Sequence, residues 1–394
     1  MKTCPRAARL ASVLIVAALA IPVALRADET APRSLFDGRS LDGWVVENGC
    51  EAYVVDGCLR LKAGDGWLRS HHKYRDFDLH VEWKSLQPAG YDAGIYIRSA
   101  GEGKPFPKPS YQINLLDGKE GNLAQLKGAE SAGLVRKGDW NAFDIHVEGD
   151  RVALKINGQP AWSVGGLQAA DGFIGFQIEV PKGGQFLLRK ITVKELSYKP
   201  LCNGQDLAGW TAVGGAAADC WSVVDGCIVC NGQKGPWLRS DASYGDFNLR
   251  FDYQLSPEGN SGIYVRVPED GNHHRENETL PPAGVEVQVL DDFAEKHAKL
   301  KDYQYSASVY DIAGASPRVS RQPGAWNTME INCRGQHYSI VHNGLTVVNL
   351  TENDHPLIKL RKTDGFLGLQ NHSTVVRFRN LRIGPAAEFP VPTK

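Results

Sequence analysis

The chain has 394 residues, 42% of them hydrophobic, which is enough for two or three domains with real cores and excludes disorder as the default state. Its 44 Lys plus Arg against 45 Asp plus Glu give a net charge of -1, so nothing draws it generally to nucleic acid or to an anionic membrane. With 42 Gly, 21 Pro, 9 Trp and 13 Tyr but only 2 Met, the composition favours turns and aromatic-rich strands over long helices.

At the start, Lys2, Arg6 and Arg9 precede an apolar stretch from Leu10 to Leu25 that is interrupted by Pro22 and followed by Arg26-Ala27-Asp28. The stretch falls short of the roughly 20 residues that span a bilayer, so residues 1–27 are expected to form a cleaved export signal rather than an anchor. The mature protein is then expected to be secreted or periplasmic, with no membrane contact beyond export. Cys4 leaves with the signal, and the remaining cysteines are an odd set. Export permits disulfides, and Cys50/Cys58 and Cys220/Cys227 are short-range candidates, with buried free thiols as the alternative. The C-x-x-C of Cys227 and Cys230 lacks the second pair that a zinc site would use.

From Leu35 onward the chain repeats itself. LFDGRSLDGW at Leu35 returns as LCNGQDLAGW at Leu201, VVDGC at Val54 returns at Val223, and GWLRS at Gly66 returns as PWLRS at Pro236. The order continues with YRDFDLHVEW at Tyr74 and YGDFNLRFDY at Tyr244, AGIYIRS at Ala93 and SGIYVRV at Ser261, then WNAFDIHVEG at Trp140 and WNTMEINCRG at Trp326. A period this long means two complete domains, because solenoid units are far shorter. The first is set at 28–198 and the second at 199–394. Between its IYVR strand and Trp326 the second is longer, with polar, Pro-bearing loops over Pro268 to Pro282 and Asp292 to Ser320; loops of that length are usually functional.

Within each copy the hydrophobic period is two, as in Phe247, Leu249, Phe251 and Tyr253 alternating with Asn248, Arg250 and Asp252, which predicts strands with one wet face. Asp225-Gly226, Asn157-Gly158, Asn343-Gly344 and Asp364-Gly365 punctuate the runs at hairpin spacing. The fold class is therefore all-β, a pair of sandwiches or jelly rolls. Asp37 and Asp56 fall in turn sequences, and Trp140 and Trp326 open strands and are expected in the cores.

Residues two apart on a strand share a face, so Tyr264 with Arg266, Glu286 with Gln288, and Gln370 with His372 form three polar pairs. If the three strands are neighbours, these pairs line one concave wall with Asn260, Asp291 and Asp292 at its rim. The plain reading of Arg266 and Glu286 is a solvated cross-strand ion pair, and of His372 a loop histidine. His273, His274 and His297 lie on the long loops, where solvent-facing histidines are commoner than metal ligands.

LFDGRSLDGW, WSVVDG, YGDFNLRFDYQLSPEGNSGIYVR, GVEVQVLDD, WNTMEI and VVRFRNLRI together resemble the successive motifs of the 3-keto-disaccharide hydrolase family, a concanavalin-like β-sandwich, and do so twice over nearly the whole mature chain. The resemblance implies a carbohydrate partner whose sugar carries a 3-ketone. A ketone at C3 acidifies the C2 hydrogen, so a base can form an enolate that expels the C1 substituent, and water addition completes a net hydrolysis. On this reading Glu286 is the base, Arg266 or a bound divalent cation the oxyanion stabiliser, and His372 or Tyr310 the acid. Asn260, Tyr264, Gln288, Asp291 and Gln370 are the substrate-binding candidates of the second copy, and Tyr96, Arg98, Gln112, Gln177 and Glu179 those of the first. The first copy keeps Tyr96, Arg98 and Gln177 but has Gln112 in place of Glu286 and Glu179 in place of His372. An amide is no general base, which favours the second copy as the active one and the first as a binding or packing partner. The competing class is a non-catalytic lectin-like pair. A conventional glycosidase would want two carboxylates flanking the bond, and no E-x-D-x-x-E run is present.

Overall fold

The computed structural model describes residues 32–389 together with Met1, and the rest of the expected export signal lies outside the described residues. Among the described residues the regular structure consists of strands and short 3-10 turns, and no helix is long and apolar enough to cross a membrane. The all-β tandem sandwich expected from the sequence is the fold that forms. In the first copy, a sheet centred on Phe77–Ser85, Asn141–Glu148 and Phe186–Glu195 packs on a five-stranded sheet. The second copy repeats the plan with Phe247–Leu255, Trp326–Arg334 and Val375–Gly384. Its five-stranded sheet runs Trp210–Val213, Trp237–Tyr244, Gly365–Leu369, Asn260–Val267, Val285–Leu290. Each sandwich closes its own core, around Trp83, Phe143 and Phe186 in the first and around Phe251, Ile331 and Phe378 in the second.

The alternation has opposite outcomes in the two copies. Along Phe77–Ser85 every second side chain is buried and the others are half-exposed, as the period predicts. In the second copy Asn248, Arg250 and Asp252, expected on a wet face, are buried as well. The reason is that the first domain covers this sheet. Arg250 Nη1 donates to Glu195 Oε1 of the first domain at 2.5 Å, and its Nε lies 3.0 Å from Glu330 Oε2. Arg382 also pairs with Glu195, His72 Nδ1 donates to Glu330 Oε2 at 2.8 Å, and Arg250 Nη2 donates to the Lys73 carbonyl at 2.7 Å. Charges removed from water are tolerated only when each meets an opposite charge or a hydrogen-bond partner, as these do.

Two further expectations are corrected. The described cysteines are all free thiols. Val55 pairs with Cys58 next to the hairpin turn while Glu51 pairs with Ala63 at the far end, so Cys50 and Cys58 stand at opposite ends of the hairpin. Cys220 and Cys227 are separated in the same way, because Val224 faces Cys227 and Trp221 faces Cys230. Trp140 and Trp326 are half-buried outside the cores, each carrying an arginine over its ring: Arg189 at 3.8 Å and Arg379 at 3.9 Å. Asp37 behaves as expected, its Oδ1 accepting from Arg39 N and Ser40 N at 2.8 Å each.

Burial holds His72 neutral down to about 4, with the Glu330 hydrogen bond opposing and Arg250 assisting, and it takes His342 down to about 3. His71, buried beside His72, is also shifted well down. These groups take up protons near pH 6.5 when unfolded but not when folded, so their contribution is present above that pH and is lost on acidification. Urea unfolding at pH 7, 6 and 5 is expected to show stability falling below pH 6.5 by about 1.4 kcal/mol per pH unit for each such histidine. His72→Gln is expected to remove one proton's share of that slope; an unchanged slope would show that folded His72 takes up its proton just as the unfolded histidine does.

Candidate functional site

The strands Asn260–Val267, Val285–Leu290 and Gly365–Leu369 are neighbours, with Tyr264 registered against Glu286 on one side and Gly368 on the other. On the face away from the core they floor a cavity of about 450 Å³ lined by Asn260, Glu286, Gln288, Gln370, His372 and Tyr310, and also by His273, His274, His297 and Gln304. Gln370 and His372 sit in the loop after their strand rather than on it, and His372 is exposed at the rim.

Glu286 is 4% exposed. Its carboxylate lies flat over the neighbouring strand because residue 262 is glycine; a Cβ there would stand 2.2 Å from Oε1. The counter-charge comes from His273, whose Nε2 is 3.0 Å from Glu286 Oε2. His273 Nδ1 lies 3.1 Å from the Gly271 carbonyl, which can only accept, so Nδ1 carries a proton, and the carboxylate facing Nε2 favours the doubly protonated imidazolium. Burial works against that charge, but the hydrogen bond and charge of Glu286 outweigh it and raise the His273 pKa. Tyr264 stacks on His273 with centroids 4.9 Å apart, meets Trp237 edge-on at 5.2 Å, and accepts from Gln370 Nε2 at 3.2 Å. Burial and the adjacent Glu286 push the Tyr264 phenol up to about 12, so it stays protonated.

The inserted loops supply the rest. Residues 307–310 run beside Val285–Leu290, with Tyr310 N donating to Glu286 O at 2.9 Å, and Gln304 Nε2 donates to the Tyr310 hydroxyl at 3.1 Å. His297 Nδ1 donates to the Asp291 carbonyl at 2.8 Å, which leaves Nε2 as an acceptor. Asn260 Oδ1 and Gln370 Oε1 are buried without a partner among the described residues, two acceptors suited to hydroxyl donors. Gln288 lines the cavity but spends its Oε1 on Val289 N at 3.1 Å.

Four candidates lie elsewhere. Arg266 does not share a face with Tyr264: the register shifts between Tyr264 and Val267, Arg266 takes a φ of 54°, and the bulge turns the side chain inward. There it is fully buried, donating to Gly245 O at 2.8 Å and Gly335 O at 2.6 Å and pairing with Asp246 at 3.1 Å. Arg98 does the same in the first copy, with a φ of 42° and bonds to Arg75 O, Gly149 O and Asp76. Asp291 accepts from Glu258 N at 2.8 Å and Phe293 N at 3.0 Å, and Asp292 accepts from Ser306 N at 2.9 Å; both fasten loops and neither lines the cavity. Among the described residues no group of three His, Cys, Asp or Glu side chains is placed to hold a metal ion. Sequence reasoning missed His273 as a site residue; the only signal was its position in the longer loop of the second copy.

At the corresponding place in the first copy Gln112 lies over Gly94, where a Cβ would stand 2.2 Å from its Nε2. Its amide donates to Gln177, Gln177 Nε2 donates to Glu179 Oε2 at 2.9 Å, and Lys182 closes the chain on Glu179 at 2.7 Å. Tyr96 is buried against the edge of Trp67 at 5.6 Å. The scaffold is shared, but the amide Gln112 stands where the second copy has the Glu286 carboxylate, and its partner is Gln177, the counterpart of Gln370. For the second copy, Glu286→Gln is expected to lower the His273 pKa, because burial then acts with less opposition; NMR titration of the imidazole checks this, and an unmoved midpoint would break the proposed pairing.

The model of a 3-keto-alpha-glucoside-1,2-lyase-like domain matches the chain twice, over residues 31–194 and 197–384. A 3-keto-disaccharide hydrolase of Bacteroides thetaiotaomicron is 29% identical in an alignment covering 47% of this chain and 77% of the relative. Among solved structures, a candidate glycosyl hydrolase from Parabacteroides distasonis is 27% identical with a TM-score of 0.40, covering 48% of this chain and 98% of its own. A second from that organism is 24% identical with a TM-score of 0.40, covering 48% of this chain and 94% of its own.

Proposed function

Because this chain belongs through both of its halves to the 3-keto-alpha-glucoside-1,2-lyase-like domain family, we propose that it is a carbohydrate-active enzyme that cleaves 3-keto-disaccharides or 3-keto-glycosides, with the second domain as the active one. The observation that carries this reading is the buried Glu286 carboxylate paired with an imidazolium at the floor of a polar cavity. Glu286 takes the C2 proton that the neighbouring ketone acidifies. As negative charge moves onto the ketone oxygen, His273, whose two ring nitrogens stay on Glu286 and the Gly271 carbonyl, offers the stabilisation through its positive charge alone, a role assigned on sequence grounds to Arg266, which is buried in the opposite direction. The C1 group then leaves with a proton from Tyr310 or His372, and water adds to the resulting alkene to complete the hydrolysis. Asn260, Tyr264 and Gln370 orient the ring through their free oxygens and the Tyr264 hydroxyl. No step is assigned to a divalent cation, because among the described residues no group of three metal-ligating side chains is placed to hold one; equal turnover with and without chelator is expected.

In the first domain Gln112 cannot accept a proton as a base, which supports a binding or packing role for that copy, and it is the observation that favours a lectin-like contribution there. Both domains are proposed to act in a secreted or periplasmic protein. Glu286→Gln in the full chain is expected to reduce cleavage of a 3-keto-disaccharide by at least about 10²-fold, the usual loss for a general base. Turnover within a few-fold of the parent would remove Glu286 from the mechanism and turn attention to Glu179 in the first domain.

A further inference from the structure

Beside the Glu286 cavity lies another of about 540 Å³, and His273 and His274 line both. Its chemistry differs. Where the first is lined by carboxylate, amides and imidazoles, the second adds Trp237, Tyr264, Leu280 and Pro281 to the two shared histidines, with Asp270 and Asn272 as its other polar members, and the Asn272 side chain is spent within its own loop on Pro282 O and His274 N. Leu280 is 40% exposed, one of the few large apolar side chains left in contact with water in this copy.

The loop that brings Leu280 there is held in place. Gly271, at a φ of 78°, lies so close to Trp237 that a Cβ would stand 2.8 Å from the indole ring. Asn272 Nδ2 donates to Pro282 O at 3.1 Å, and Arg275 Nη1 donates to Leu360 O at 2.9 Å. The same loop supplies His273 to Glu286. One segment therefore builds both the charged partner of the carboxylate and an apolar wall next to it.

We infer that this second cavity is a subsite for the group attached at C1 of the sugar, and that it takes an apolar aglycone, an aryl group in particular, in preference to a small or highly hydroxylated one. The inference rests on the proposed sugar site around Glu286. A glycoside whose ring sits over the carboxylate reaches across His274 with its C1 substituent, and the next surface it meets is an indole edge, a leucine and a proline. Flat apolar groups gain by leaving water against such a surface, whereas a second sugar finds Asn272 and His273 already bonded and only Asp270 and His274 left to meet its hydroxyls.

Two measurements on the full chain separate this subsite from the catalytic reading. The first is calorimetric binding of 4-nitrophenyl glucoside and methyl glucoside, neither of which carries the ketone. The aryl glucoside is expected to bind about tenfold more tightly, and Leu280→Ser is expected to shrink that advantage about fivefold. The second is turnover of the 3-keto forms of the same glucosides, where the aryl-to-methyl ratio of kcat/KM is expected to fall in Leu280→Ser by a similar factor. No aryl advantage in the parent, or an advantage that Leu280→Ser leaves intact, overturns the subsite even if both keto substrates are cleaved. An aryl advantage in binding that depends on Leu280, without cleavage of either keto substrate, upholds the apolar subsite and defeats the catalytic reading instead.

Discussion

A carboxylate that is almost out of reach of water must either take up a proton or be given a positive partner, and the second domain is arranged around that constraint. Glu286 can lie over the adjacent strand because residue 262 has no side chain, and it faces His273 because a long loop returns over the sheet at that point. The loop's own Gly271 carbonyl accepts from Nδ1, which aims Nε2 at the carboxylate. Tyr264 then stacks beneath it, and Gln370 bonds to the Tyr264 hydroxyl. Removing the charge from residue 286 would leave this loop without its main electrostatic reason to sit where it does.

The first domain shows what the same scaffold does without that charge. Gly94, Tyr96, Trp67 and Gln177 hold the places of Gly262, Tyr264, Trp237 and Gln370, yet residue 112 is an amide. A neutral side chain needs no imidazolium, and the Gln112 amide donates to Gln177 instead. The remaining charge has moved outward to Glu179, where Lys182, a more exposed residue, matches it. The change of one acid to its amide and the shorter connection after the IYIR strand are thus parts of one difference between the copies.

Much of this was legible in the sequence, and what was not has identifiable physical causes. Collinear repeats and period-two alternation gave the duplicated sandwich, and even spacing on strands put Tyr264, Glu286 and Gln288 at one wall. Alternation assumes an unbroken pleat, however, and a single bulged residue sends Arg266 to the opposite side of its sheet. The positive φ at Arg98 marks the same device in the first copy, but an arginine in a strand sequence carries no sign of it. His273 was invisible as a partner because loops have no period, so its reach to Glu286 follows only from where the chain folds back. Arg250 was placed on a wet face because a strand sequence cannot say that a second domain will cover it.

That covered face bears on the site as well. A purely apolar contact between two sandwiches could slide by several ångströms at little loss, whereas Arg250 must meet Glu195 from one domain and Glu330 from the other at once. His71 adds a bond to Thr328 Oγ1 at 2.5 Å, and Arg69 Nη1 donates to Gly344 O at 3.1 Å, so the first domain grips the hairpin that follows Trp326. Asp42 of the first domain pairs with Arg321, directly after the second inserted loop, and Ser320 is bonded to Asp292 at the loop's other end. The segment between them carries His297, Gln304 and Tyr310 into the cavity. The first domain, with Gln112 where the second has Glu286, thereby touches one end of a loop whose middle lines the cavity: Asp42 holds Arg321, and the Ser320–Asp292 bond ties that end to the other.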